Sequence, residues 1–324
     1  MSRPRVARSA AIRVTIAALG VLAGALGLAT PLASPALGAV RPALFRCAAL
    51  PTLAPRPGST TTVSTSLGRA RVTYRVTTTT TTTVPTPGVG LPFPGVLRVR
   101  DGGRSFTLAA PSGFAGSAVV QLCALADGSR PAVLLGAYSG GAHCCFESAL
   151  YAPTRARYAL ALEASIQSIR PAIRYDPNGG LAPAVTQGHL VLKSGDGRFP
   201  YQFGCYACTP SPLALYQLRG ARLVDVTARY PGPARAWLAS LKSALRQAES
   251  PANAGSLFGV LAAFVAQSCT LGSGARAWRE VTTLEHRGLL GDAAYHQAAF
   301  VKKGSYVPAL RHFLLTTGYC RNVI

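Results

Sequence analysis

The chain has 324 residues, 49 % of them apolar and 14 % charged, with 33 Lys and Arg against 11 Asp and Glu for a formal charge of +22. That length suits one large domain or two small ones and is ample to bury a core. So cationic a chain suits anionic partners, but nucleic acid fits poorly, because the arginines form no dense run with interleaved aromatics. Only four of the cations are lysines, so an ordinary solvated surface with arginine in place of lysine would carry the same charge.

Residues 1–38 begin with Arg3, Arg5, Arg8 and Arg13 and continue as an apolar stretch that stays uncharged until Arg41. A basic start, an apolar middle and a small-residue exit at Ala36-Leu37-Gly38 predict a secretory signal peptide, although the stretch is also long enough for an anchor. Removing its four arginines from +22 leaves a mature charge of about +18. The next apolar run, Leu257 to Ala266, falls short of the roughly 20 residues a helix needs to cross a bilayer, so no span is expected after cleavage.

Residues 39–94 form a Thr- and Pro-rich arm. Within it "RVTYRV" (71–76) alternates apolar and polar positions like a strand. The threonine run Thr77 to Thr83 and the prolines that follow it read as a protruding loop or linker. From 95 to 230, short apolar runs alternate with Gly, Pro and Asp, which predicts antiparallel strands. In "RYALALEA" the period of two places Tyr158, Leu160, Leu162 and Ala164 on one face.

From Pro231 the period turns helical. Trp237, Leu238, Leu241 and Leu245 share a stripe, Ser250-Pro251 predicts a helix start, and Trp278, Val281 and Leu284 mark a later helix. Leu257, Leu261 and Phe264 mark the helix between them, and Leu310, Phe313 and Leu314 a final one stopped by Gly318. Each helix is expected to bury one stripe, so 231–324 reads as a small helical subdomain packed on the β region.

The stretch "PAVLLGAYSGGAHCCFESALY" resembles the FG-GAP/VCBS-type repeats of secreted bacterial proteins of uncharacterised function, in which an acidic loop leads into a strand and then a Gly-Gly-Ala-His-Cys-Cys turn. The resemblance places that turn on Tyr138, Gly140, Gly141 and His143 through Cys145, with a looser second copy from "RYDPNGG", and covers about residues 118 to 230. It implies calcium loops, which need several carboxylate and carbonyl oxygens. Here Asp127 stands alone and Ala132 occupies the glutamate position. The second copy has only Asp176, Asn178 and the later Asp196, so no calcium is expected at the first and tight turns are the reading at the second.

Eight cysteines in an exported chain read as disulfides, in one of 105 connectivities. Cys269 with Cys320 would close the helical tail, and Cys47 with Cys123 would tie the arm to the repeat. Adjacent α-carbons lie only about 3.8 Å apart, so Cys144 and Cys145 are expected to take separate partners, which Cys205 and Cys208 could provide as a staple between the repeat copies. His143, Cys144, Cys145, Cys205 and Cys208 also have the ligand types of a zinc site, and Cys205-Tyr206-Ala207-Cys208 has the spacing of a redox motif. Both are weaker than the staple, because export favours oxidised sulfur and the motif lies in β-rich sequence.

No nucleophile elbow, zinc-protease motif or phosphate loop is present. The expectation is an α+β protein. A mainly antiparallel β domain of degenerate FG-GAP/VCBS-like repeats, as a sandwich or partial propeller, precedes the helical subdomain. It is read as a secreted, cell-surface-associated binding or structural protein without cofactor, whose partner is an anionic cell-wall polymer or another envelope protein. The alternative is a secreted thiol, zinc or redox enzyme centred on the His143 to Cys145 and Cys205 to Cys208 cluster.

Overall fold

The computed structural model describes residues 47–49, 58–77, 95–109, 118–124, 130–138, 146–164, 169–170, 173–176, 179–299 and 303–321. The expected signal peptide lies outside them, as do residues 78–94 of the expected loop or linker, whose first residue, Thr77, instead ends the strand Ala70–Thr77, and most of the Gly-Gly-Ala-His-Cys-Cys turn, including Gly140, Gly141 and His143. The described chain is α+β, with antiparallel sheets followed by helices.

The first sheet has the order β2-β3-β4-β5, formed by Thr60–Leu67, Ala70–Thr77, Gly95–Asp101 and Arg104–Ala109. Its strands thus come from both sides of residue 94. Between β4 and β5 the two-residue turn is Gly102-Gly103, with φ of 53° and 83°, a left-handed pair that glycine adopts without steric cost.

The second sheet has the order β1-β6-β7-β8-β9-β10 and consists of Cys47–Ala49, Ala118–Cys123, Ala132–Tyr138, Phe146–Pro153, Tyr158–Ala164 and Ile169–Arg170. The third, β11-β12-β13-β14, comprises Ala182–Thr186, His189–Ser194, Ala214–Arg219 and Arg222–Asp225.

The sheets stack. Val72, Tyr74, Leu97 and Val99 of the first pack with Val120, Leu122, Val133 and Leu135 of the second. The other face of the second sheet, with Ala132, Leu134, Leu150 and Leu162, packs on Leu192, Ala214 and Tyr216 of the third. The middle layer therefore buries both faces, which is why β7 reads as the unbroken apolar run Ala132 to Leu135 rather than alternating.

The expected single face of β9 does not form. A register shift opposite Leu150 and Tyr151 leaves one extra residue in β9, because Tyr151 pairs with Leu160 whereas Leu150 pairs with Leu162. Inserting one residue reverses the alternation. Tyr158 accordingly faces the first sheet, edge-on to Phe106 at 5.4 Å, while Leu162 and Ala164 face the third and Leu160 is exposed.

The helices are α1 (Pro231–Ala248), α2 (Leu257–Thr270), α3 (Gly274–His286), α4 (Asp292–Ala299) and α5 (Tyr306–Thr316). Tyr230 and Ala234 at the start of α1 cover Val191, Leu213 and Leu215 on the outer face of the third sheet. Ser250-Pro251 starts a 3-10 segment, Pro251–Ser256, and the Ser250 hydroxyl donates back to the Gln247 carbonyl at 2.8 Å instead of capping.

This segment lengthens the apolar stretch that was expected to be too short. Ala252–Thr270 has the length and composition to cross a bilayer, but it is the central helix of the bundle, buried nearly all round from Leu257 to Ser268 rather than along one stripe. The bundle core also takes in Phe199 and Phe203 from the long β12–β13 connection, stacked edge-on with Phe313 at 5.0 and 5.2 Å.

Candidate functional site

Three disulfides join described residues: Cys47 to Cys123 across β1 and β6, Cys269 at the end of α2 to Cys320 after α5, and Cys205 to Cys208. The third corrects the expected staple, since Cys205 and Cys208 bond each other instead of Cys144 and Cys145. A 3-10 turn, Tyr206–Cys208, brings their α-carbons to 5.0 Å, a separation that needs no distant partner. As disulfide sulfurs they cannot serve as thiolate zinc ligands. Cys144 and Cys145 lie outside the described residues.

Among the described residues no three His, Cys, Asp or Glu side chains are grouped closely enough to hold a metal ion. His286 and His312 are exposed, His296 contacts the Gly304 carbonyl at 2.6 Å, and His189 tilts against Tyr230. Asp196 is buried and committed: its carboxylate pairs with Arg198 and accepts the Tyr319 hydroxyl at 2.8 Å. Backbone N–H groups of Gly179 and Gly180 donate to the Asp176 carbonyl at 3.3 and 2.8 Å.

Glu147 and Glu163 lie on the same face of β8 and β9, because Glu163 pairs with Ala149, two residues along from Glu147. Glu147 is buried, and burial first, with the neighbouring Glu163 charge second, raises its carboxyl above the ordinary glutamate range. The same surroundings push the Tyr151 hydroxyl up to about 12. Glu163 itself is half-buried.

The outer face of the first sheet is open and cationic. In the register, Arg71 lies opposite Arg100, Thr73 opposite Arg98, and Arg75 opposite Val96, so all four arginines share one face. Each is exposed. Thr62, Ser64, Ser66, Ser105 and Thr107 fill the flanking positions. The sheet's only acid, Asp101, sits on the opposite face, paired with Arg130. Arginines two apart on a strand are about 6.7 Å apart, and neighbouring strands about 4.8 Å, which makes a two-dimensional grid of guanidinium donors.

Sequence reasoning missed this site. Its signal was the alternation of arginine in "RVTYR" and "RVR", but only the strand register shows that the two runs coincide.

A family match falls on the helical end of the chain. Residues 234–318 match the sll0997 C-terminal domain family. That span runs from within α1 to the end of α5. Over 207 residues the chain is 29 % identical to the probable thylakoid lumen protein sll0997 of Synechocystis sp. (strain ATCC 27184 / PCC 6803 / Kazusa), an alignment covering 60 % of this chain and 58 % of the relative. The chain therefore spans less than two thirds of that relative's length. No solved structure matches.

Proposed function

We propose that this is an exported, disulfide-stabilised, non-catalytic protein that adheres to a linear anionic polymer of the cell envelope through the outer face of β2 to β5. One observation carries the reading: Arg71, Arg75, Arg98 and Arg100 project from one exposed face that holds no carboxylate. Such guanidinium grids suit repeating phosphate or carboxylate groups, which arginine can grip bidentately and the interspersed hydroxyls can support.

Extracytoplasmic placement is supported by the disulfides, by the signal-like composition of residues 1–38, and by the lumenal description of the relative. The stacked antiparallel sheets also suit the FG-GAP/VCBS-like reading, as a short run of blade-like units rather than a closed ring.

The test is titration of the exported protein with inorganic polyphosphate at several salt concentrations. Binding that weakens steeply with salt, and that falls roughly tenfold or more in a variant carrying Arg71→Gln, Arg75→Gln, Arg98→Gln and Arg100→Gln, is the expected result. Equal binding by the folded variant overturns the proposal.

A further inference from the structure

The three disulfides among the described residues differ in what they hold. Cys47–Cys123 and Cys269–Cys320 close spans of 76 and 51 residues, and each has one end shut away from solvent, Cys123 at 2 % exposure and Cys320 at 0 %. Cys205–Cys208 closes a span of only 3, and both its cysteines are half-exposed. Because a cross-link restrains the unfolded chain more as its loop lengthens, the short bridge contributes least to folding.

Other contacts hold the segment around it. Phe203, just before the turn, is fully buried against Tyr306 and Phe313, with ring centroids 5.5 and 5.2 Å away. Thr209, just after it, is buried against Gly259 of α2 so closely that a Cβ added to Gly259 would lie 2.9 Å from the Thr209 α-carbon. Gly204 and Thr209 also approach each other, since a Cβ on Gly204 would meet the Thr209 hydroxyl at 3.1 Å. Entry and exit of the turn are thus pinned side by side on the bundle with or without the sulfur bridge. Two thiols released there would stay poised to reclose.

The backbone N–H of Cys208 is shared between the Cys205 carbonyl at 3.0 Å, which closes the 3-10 turn, and the Cys205 sulfur at 3.1 Å. A hydrogen bond to sulfur favours the thiolate over the thiol. Cys205 is therefore the better leaving group of the two.

From this placement we infer that Cys205–Cys208 is a reversible thiol–disulfide exchange site that accepts electrons from a dithiol, whereas the other two bridges are structural. The thiolate of the dithiol attacks the Cys208 sulfur, forming a mixed disulfide there and expelling Cys205 as thiolate. The second thiol of the dithiol, as thiolate, then attacks its own sulfur in that mixed disulfide and expels Cys208. The dithiol leaves as a disulfide, and two electrons with two protons have passed to Cys205 and Cys208.

This inference stands apart from the polyanion reading, which concerns the other end of the sheet stack, and neither test bears on the other. The native exported protein is treated with graded dithiothreitol without denaturant, quenched, alkylated and mapped by peptide mass. The Cys205–Cys208 bridge is expected to open roughly tenfold faster than Cys47–Cys123 and Cys269–Cys320, to leave helical circular dichroism unchanged, and to reclose once the reductant is replaced by oxidised dithiothreitol. In the reduced protein at about pH 7, Cys205 is expected to alkylate faster than Cys208.

Opening of the three bridges together, loss of helicity when only Cys205–Cys208 opens, or faster alkylation of Cys208 would each overturn the assignment. A Cys205→Ala, Cys208→Ala double variant gives a second check: it is expected to fold with the same helical content, and failure to fold would place the bridge among the structural ones.

Discussion

Arg71 and Arg100 stand directly opposite each other across β3 and β4, two cations as cross-strand partners on an exposed face. The Arg71 guanidinium leans away, donating to the Ser64 hydroxyl of β2 at 2.8 Å. Like charges in this relation destabilise a sheet by roughly 0.2–1 kcal/mol, so the face carries a stability penalty that an anionic partner would relieve. Arg100→Thr is therefore expected to raise the melting temperature slightly while weakening polyphosphate binding. A variant that melts lower and binds unchanged would contradict both halves, and thermal melts with and without polyphosphate decide it.

Glu147 yields a pH dependence. Its carboxyl is raised by burial and then by Glu163, so the folded chain holds that proton more tightly than the unfolded chain does. The stability this contributes is complete below the unfolded value, about 4.3, and is lost as pH rises through the raised folded value. Glu147→Gln is expected to match the parent near pH 3.5 and to melt roughly 1–3 °C higher at pH 7. Melting curves across that range check it, and a gap that does not widen with pH would refute the assignment.

Gly259 is tested by adding one methyl group. In a helix interior, alanine in place of glycine normally gains about 0.5–1 kcal/mol. Here the added Cβ would lie 2.3 Å from the Thr209 hydroxyl oxygen and 2.9 Å from that residue's α-carbon, and a backbone atom cannot swing aside. The clash wins, so Gly259→Ala is expected to cost about 1–3 kcal/mol by chemical denaturation. A neutral or stabilising result would show that the β12–β13 connection does not press on α2 as described.

The Tyr216 hydroxyl accepts from the Arg174 N–H at 2.8 Å and donates to the Arg174 carbonyl at 3.0 Å, doing for that half-buried segment what a neighbouring strand would do. Burial raises this hydroxyl to about 12, so it stays a donor across the physiological range. Tyr216→Phe leaves both backbone groups without that partner, and a loss of about 1–3 kcal/mol in unfolding free energy is expected. Retention of full stability would mean that water replaces the hydroxyl without loss.

Local pattern carried much of the fold. The β-branched alternation of "RVTYRV" marks β3, apolar residues at three- and four-residue steps mark α1, α3 and α5, and Gly318 at φ 83° ends the last helix. Helix α4 left little trace, because only Tyr295 and Ala299 of its eight residues are buried and so small a stripe shows no period.

What the sequence by itself determined were the periods, the turns, the excess of arginine and the supply of cysteines, because each is set by a residue and its near neighbours. Only the tertiary structure decided that an extra residue in β9 sends Tyr158 and Leu162 to opposite layers, and that α2 is covered on all sides. It also decided that Cys205 closes on Cys208, and that four arginines from two strands meet on one uncovered face. These depend on register and on which layer lies against which, and such relations between distant segments are not written in local spacing.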